Sequence, residues 1–185
     1  EHTITKSVRA LLQYREKSKL QENSLLYANH ELDRIVQTRH QESIRGSMRF
    51  TINKWIELSQ RIEWTRVGYS VSRNDEQGML MFAELTWSFP SPRIFGNARF
   101  AIFDTHSYDS RLYEFERDVR GGYSFPALYG RGIRWYVVFG WKVLEQAEIS
   151  FKYSETLKSG TATLGSGDSE IIGPLDNRVT FQLDV

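Results

Sequence analysis

The residues from position 43 to position 52 alternate strictly between polar and apolar side chains. The apolar set is Ile44, Gly46, Met48, Phe50 and Ile52, and the polar set is Ser43, Arg45, Ser47, Arg49 and Thr51. Successive side chains of an extended strand point to opposite faces, so this period of two predicts a β-strand with one apolar and one polar face. Any fold of the chain must therefore place this segment in a half-apolar sheet.

The same alternation recurs in seven further segments. They cover residues 4–14, 56–64, 79–89, 94–102, 133–143, 149–153 and 179–185. Aromatic residues make up 14% of the chain and there are only four prolines, which favours strands because proline interrupts a hydrogen-bonded ladder. We predict an all-β chain of about eight antiparallel strands, and its 185 residues fit one domain over positions 1–185.

The predicted connections differ in length at the two ends of the sheet. They are short at 53–54, 90–93 and 144–146, and longer at 18–41, 70–78, 104–132 and 155–177. Bacterial outer-membrane barrels join their strands in this way, with short turns on one side and longer loops on the other. Within the first long connection, Leu25, Leu26, Leu32, Ile35 and Val36 are spaced for an amphipathic helix over 21–37, and extension of the flanking strands is the alternative.

Aromatic residues of the apolar faces fall near both ends of the predicted strands. Those near the short turns are Phe50, Trp87, Phe89 and Trp141, and those near the longer loops are Tyr14, Trp64, Trp135 and Tyr153. Two aromatic girdles separated by aliphatic residues are typical of the two interfaces of a membrane. We therefore expect these eight side chains to lie at membrane interfaces.

Alternation alone does not say which face is inside. A soluble β-barrel or sandwich that binds an apolar ligand has the same pattern with its apolar face turned inward. The unequal connections and the two girdles favour the other assignment, an up-and-down antiparallel transmembrane β-barrel with its polar face inside. The mean hydropathy of −0.48 argues against a helical membrane span.

The chain offers little catalytic chemistry. It has no cysteine, and its four histidines lack the spacing of a metal site. No nucleophile elbow or phosphate-binding loop is present. We predict that it is not an enzyme, with no catalytic residues, cofactor or metal. The net charge of +1 predicts no nucleic-acid partner for this segment.

The predicted loop 104–132 is rich in aromatic and arginine side chains, which make effective contact surfaces. The contact candidates are Tyr108, Arg111, Tyr113, Phe115, Arg117, Tyr123 and Tyr129. The loop could bind a protein or glycan partner or fold as a plug into the barrel, and simple packing over the barrel mouth is the alternative.

The segment ARFAIFDTHSYDSRLYEFERDVRGGYSFPALYGRGIRWYVVFGWKV, followed by GSGDSEI and a final alternating strand, resembles a known group. It is similar to the C-terminal barrel region of Bacteroidetes- and Chlorobi-type outer-membrane proteins that are named helix-hairpin-helix proteins, after a small competence-protein-like N-terminal domain. Members of this group end in an aromatic residue, whereas this chain ends in Val185. The helix-hairpin-helix region has no counterpart in this sequence, so its DNA-binding role is not carried over.

These observations predict a Gram-negative outer-membrane β-barrel in contact with the lipid bilayer. A structural, porin-like transport or surface-interaction role is expected, and the sequence does not identify the cargo. The resemblance adds the alternative of an outer-membrane component of a secretion or DNA-uptake apparatus. Because the chain begins at Glu1 without an initiator methionine or signal peptide, we expect it to be processed or truncated. Two alternatives stay open, a barrel of these eight strands and a larger barrel of which this chain is the C-terminal part.

Overall fold

The computed structural model describes residues 7–26, 32–71, 75–164 and 170–185. These residues form strands and connections without a helix. In chain order the strands are β1 (Ser7–Leu26), β2 (Leu32–Asn53), β3 (Ile56–Tyr69), β4 (Glu76–Phe89), β5 (Ile94–Thr105), β6 (Leu112–Tyr113), β7 (Ala127–Leu128), β8 (Arg131–Lys142), β9 (Glu148–Ser159), β10 (Thr163–Leu164), β11 (Ile171–Ile172) and β12 (Leu175–Asp184).

The eight long strands form one antiparallel sheet in the order β1-β2-β3-β4-β5-β8-β9-β12. Every long strand pairs with the long strand that follows it, so the predicted all-β, up-and-down arrangement of eight strands is confirmed. The described residues do not close this sheet into a barrel, because β1 and β12 form its two edges. Two small hairpins, β6–β7 and β10–β11, lie outside the sheet.

The first hairpin is longer than the sequence predicts. The helix considered for 21–37 is wrong, and so is the long connection at 18–41, because β1 continues to Leu26 and β2 begins at Leu32. The physical reason is that the antiparallel ladder continues without interruption from Ser18↔His40 to Leu26↔Leu32, so each strand supplies the other's backbone hydrogen bonds. Residues 27–31 lie outside the described residues.

Short turns gather at one end of the sheet, which we call the short-turn end. They lie at 54–55, 90–93 and 143–147. The opposite, loop end carries the connections 70–75, 106–130 and 160–174. The long connections predicted at 104–132 and 155–177 are slightly shorter than expected, since β9 extends to Ser159 and β12 begins at Leu175. Residues 4–6 of the first predicted strand lie outside the described ranges.

The two faces of the sheet differ in both chemistry and exposure. One, the apolar face, carries exposed aliphatic and aromatic side chains such as Phe100 (48% exposed) and Ile102 (53% exposed). The other, the polar face, carries buried charged side chains such as Glu84, Arg99 and Lys152, none more than 9% exposed. Charged residues are almost never buried unless they are paired. The polar face must therefore have partners that neutralise it.

The segment 106–130, which joins β5 to β8 and is called the strap below, covers this face. Its hairpin β6–β7 pairs Leu112 with Leu128, and both side chains are buried. They belong to one apolar cluster with residues of β4 and β5, namely Leu80, Phe82, Ala101 and Phe103. The cluster anchors the strap against the sheet by apolar burial. No helix among the described residues is long and apolar enough to cross a membrane.

Candidate functional site: the polar face beneath the strap

The strap approaches the sheet as an extended segment. Leu112, Glu114 and Glu116 are buried, whereas the intervening Tyr113 and Phe115 are half exposed. This alternation follows from the extended backbone, which sends every second side chain toward the sheet. The strap therefore presents two carboxylates to the polar face and two aromatic rings to the opposite side.

Glu116 makes the most complete ion pair at this site. Both of its oxygens accept hydrogen bonds from Arg134 of β8, from Nε at 2.6 Å and from Nη2 at 2.9 Å. The Glu116 side chain is 3% exposed and that of Arg134 is 10% exposed. Lys152 of β9 lies 3.7 Å from the second Glu116 oxygen and donates to Asp118 at 2.9 Å. Arg134 and Lys152 thus bind the middle of the strap to two neighbouring strands.

Glu114 binds the strap to the other half of the sheet. Arg61 Nη1 of β3 donates to both Glu114 oxygens at 2.7 Å. Arg99 of β5 lies 3.6 Å from the same carboxylate and donates to the Phe115 carbonyl oxygen at 2.9 Å. Burial raises the pKa of the Glu114 carboxyl even though Arg61 and Arg99 act to lower it. Desolvation therefore outweighs pairing at this carboxyl.

Arg99 also completes a charge network within the sheet itself. Its guanidinium binds Glu84 of β4, with Nε at 2.7 Å, and lies 4.1 Å from the centre of the Phe82 ring. The Tyr136 hydroxyl donates to the same Glu84 oxygen at 3.1 Å. The Arg117 backbone N–H donates to the Tyr136 hydroxyl at 3.4 Å. Arg99 thus connects strand β4, the strap backbone and, through Glu84, the buried Tyr136.

The structure places all seven predicted contact candidates on the strap, but they do not form one surface. Arg111 stacks on Tyr108, 4.0 Å from its ring centre, and donates to the Tyr113 hydroxyl at 2.7 Å. That hydrogen bond lowers the pKa of Tyr113. Tyr108 also meets Tyr129 edge to face at 5.0 Å. The remaining candidates are Phe115, Arg117 and Tyr123, which are exposed. A partner at these residues stays a prediction.

The eight aromatics expected at membrane interfaces all lie on the apolar face by strand register. The relevant pairs are Tyr14↔Ile44, Ile44↔Trp64, Phe50↔Leu58, Leu85↔Ala98, Trp87↔Gly96, Phe89↔Ile94, Ile94↔Trp141, Phe100↔Trp135 and Tyr153↔Val179. The Trp87 ring lies against Gly96, where an added Cβ would come within 2.3 Å of Cζ2. Only glycine leaves room for the ring at that position. Contact with a membrane stays a prediction.

Sequence reasoning missed the carboxylates of the strap. These carboxylates, Glu114, Glu116 and Asp118, are the partners of Arg61, Arg134 and Lys152. The period-two run Leu112, Glu114, Glu116 was a usable signal for an extended segment lying on a sheet. Three further ion pairs, Arg45–Glu63, Arg49–Glu57 and Arg99–Glu84, link neighbouring strands on the polar face.

Among the residues that the structure describes, no three His, Asp or Glu side chains group closely enough to hold a metal ion. Comparison of the chain with known protein families, with curated proteins and with solved structures finds no match. The chemistry of the site therefore has to be judged from its own geometry. In that geometry, a layer of buried ion pairs holds the strap against the polar face of the sheet.

Proposed function

We propose that this chain forms part of the wall of an outer-membrane β-barrel whose interior is narrowed by the strap. The observation that carries the proposal is the distribution of burial between the two faces. Exposed Phe100 and Ile102 lie on the apolar face, while buried Arg99 and Arg134 lie on the polar face. A membrane barrel has this polarity, because its outer face meets lipid and its inner face is polar.

A soluble sheet protein would be expected to cover its apolar face. In the described residues the covering segment lies on the charged face instead, and the apolar face has no protein layer over it. Contiguous exposed apolar surface of this kind marks a membrane or partner interface. The eight aromatics on that face add support, since such rings concentrate at membrane interfaces.

The strap also bears on the size of the proposed barrel. A closed barrel of eight strands has an interior just wide enough for its own side chains. Here the polar face accommodates the β6–β7 hairpin and its carboxylates as a further layer. We therefore propose a barrel of more than eight strands, a size at which passage of small solutes past the strap becomes feasible. The cargo stays unidentified.

The first test is the solvent in which the chain folds. In detergent micelles or bilayers we expect circular dichroism to show β-structure that unfolds cooperatively. Without detergent or bilayers we expect the chain to aggregate. A stable, monomeric, folded chain in plain buffer would refute the membrane assignment.

A lysine scan of the apolar face makes the test specific. Val137→Lys, at the centre of β8, is expected to lower the free energy of unfolding in bilayers by about 2–4 kcal/mol. Ser159→Lys lies on the same face at the loop end of β9 and adds the same charge, and it should cost about 0–1 kcal/mol. Equal effects of the two variants would contradict a lipid-facing surface.

The resemblance to Bacteroidetes- and Chlorobi-type outer-membrane proteins supports the same assignment and stays a proposal. Within it, a structural or transport role follows from the wall and strap geometry. A secretion or DNA-uptake role has no supporting contact among the described residues.

A further inference from the structure

A cavity of about 420 Å³ opens on the polar face at the loop end, between β1, β2, β3 and the first part of the strap. We call it the basic cavity because six cationic side chains line it. They are Arg15, Lys17, Lys19, Arg39, Arg45 and Arg111. The only acidic side chains in its lining are Glu63 and Asp109. The lining therefore has a clear excess of positive charge.

Both acids of the lining already have partners. Glu63 accepts a hydrogen bond from Arg45 Nε at 2.7 Å. Asp109 accepts one from the Tyr69 hydroxyl through its carboxylate, and its backbone carbonyl accepts one from Arg39 at 2.8 Å. Glu63 is therefore neutralised by Arg45, and the Asp109 carboxylate, which is held by the neutral Tyr69 hydroxyl, offsets one further cation of the lining. Four of the six cations are left without a compensating acid in the lining.

Around the cavity, over residues 15–19 of β1 and 39–45 of β2, the positive and negative side chains lie on opposite faces of the sheet. Lys19 lies directly opposite Arg39 in the ladder, and both side chains point to the polar face. Glu16 and Glu42 are also directly opposed, on the other face. Like charges directly opposite each other destabilise a sheet. Exchanging a lysine and a glutamate between the faces would have relieved both contacts, so the arrangement costs stability and requires an explanation.

Arg15, Lys17 and Lys19 have no hydrogen bond or ion pair with any residue in the described ranges. Charged side chains on an edge strand such as β1 can serve simply to prevent aggregation. That role does not require a single sign of charge, and it does not account for the additional cations of β2 and the strap. Arg111 is moreover held in place by Tyr108 and Tyr113, so part of the cation set is pre-organised.

We propose that the basic cavity binds a ligand carrying at least two phosphate or sulphate groups. Arginine forks and lysine ammonium groups are the side chains that recognise such oxyanions, and several of them converge on one cavity here. The anion would relieve the repulsion between Lys19 and Arg39. The group could belong to a free solute or to a phosphorylated lipid headgroup. The inference does not depend on lipid contact at the apolar face, because the cavity lies on the opposite side of the sheet.

The test is calorimetric titration of the chain, folded in non-ionic maltoside micelles, with two probes. The first probe is inorganic pyrophosphate, and the second is a bisphosphorylated lipid added to the micelles. Lys17→Gln combined with Lys19→Gln should weaken binding at least tenfold, because the pair of changes removes two charge-assisted contacts to the anion. The matched control, Lys54→Gln combined with Arg93→Gln, removes the same charge at the short-turn end and should bind like the unmodified chain.

The outcomes distinguish a free solute from a lipid headgroup as the source of the anion, and they also test whether the cavity binds an anion at all. Selective binding of pyrophosphate supports a free solute, and binding of the lipid probe alone supports a headgroup. Arg111→Gln, which alters the strap rather than β1, provides a second variant that should also weaken binding. Absence of binding by both probes, or equal weakening by the control pair, would overturn the proposal.

Discussion

Removal of Arg134 should release the strap from the sheet. Arg134→Met deletes both hydrogen bonds to Glu116 and a third to Thr156, and it leaves a carboxylate that is 3% exposed. Breaking a buried ion pair by removing one partner costs about 3–5 kcal/mol. Lys152, 3.7 Å from Glu116, compensates in part, so we expect the lower limit of about 3 kcal/mol. At 1.4 kcal/mol per factor of ten, the undocked population rises roughly a hundredfold.

Limited trypsin digestion in micelles measures this change. Arg117 and Arg120 lie within the strap, and their cleavage rate follows the undocked population when closing is faster than cleavage. Arg93→Met is the matched control, because the Arg93–Glu145 pair is 2.7 Å long but largely exposed, and exposed pairs contribute little. Adding Glu116→Leu to Arg134→Met should restore much of the protection, since an apolar pair can replace a buried ion pair. If Arg134→Met and Arg93→Met are cleaved at the same rate, the ion pairs do not hold the strap.

Two further changes follow from the same contacts. Burial raises the pKa of Glu114, so this carboxyl holds its proton more tightly when the strap is docked than when it is undocked. The contribution of Glu114 to docking therefore weakens as pH rises from its pKa in the undocked strap to its pKa in the docked strap. Glu114→Gln should remove that pH dependence in hydrogen exchange of the strap amides and cost no more than about 1 kcal/mol. Arg61→Met should cost about 2 kcal/mol or more. An unchanged or steeper pH dependence in Glu114→Gln would contradict the assignment. Gly96→Ala should displace the Trp87 ring, shift its fluorescence and destabilise the sheet by about 1–3 kcal/mol. Gly46→Ala is the control and should have little effect, because the added Cβ would lie 3.5 Å from its nearest neighbour. Equal effects of the two variants would rule out steric contact at Gly96.

The alternation of side chains was sufficient to predict the sheet. It is a local property, so each half-apolar strand from 43–52 onward could be recognised without knowledge of its neighbours. The antiparallel order followed from the short turns. The ends of β1 and β2 could not be predicted in the same way, because residues 21–37 satisfy a helical spacing as well. Their strand conformation comes from the ladder between the two segments, which is a long-range contact.

The site depended even more on long-range contacts. The residues of the polar face were identified as charged and inward-facing, but the strap that pairs with them is far away in sequence from Arg61 and Lys152. Charge alone allowed Arg134 to pair with a neighbouring strand or with the strap equally well. Only the folded path of the strap, anchored by Leu112 and Leu128, decides between these partners.

The position of the strap gives it a mechanical role. It reaches from Arg61 on β3 to Lys152 on β9, and Gln182 of β12 donates to the Arg120 carbonyl oxygen at 3.1 Å. A segment attached at several points across one side of a sheet acts as a tie, which resists flattening of the sheet. We therefore expect the curvature of the sheet to depend partly on the spacing of these ion pairs, and a strap of different length to favour a different curvature.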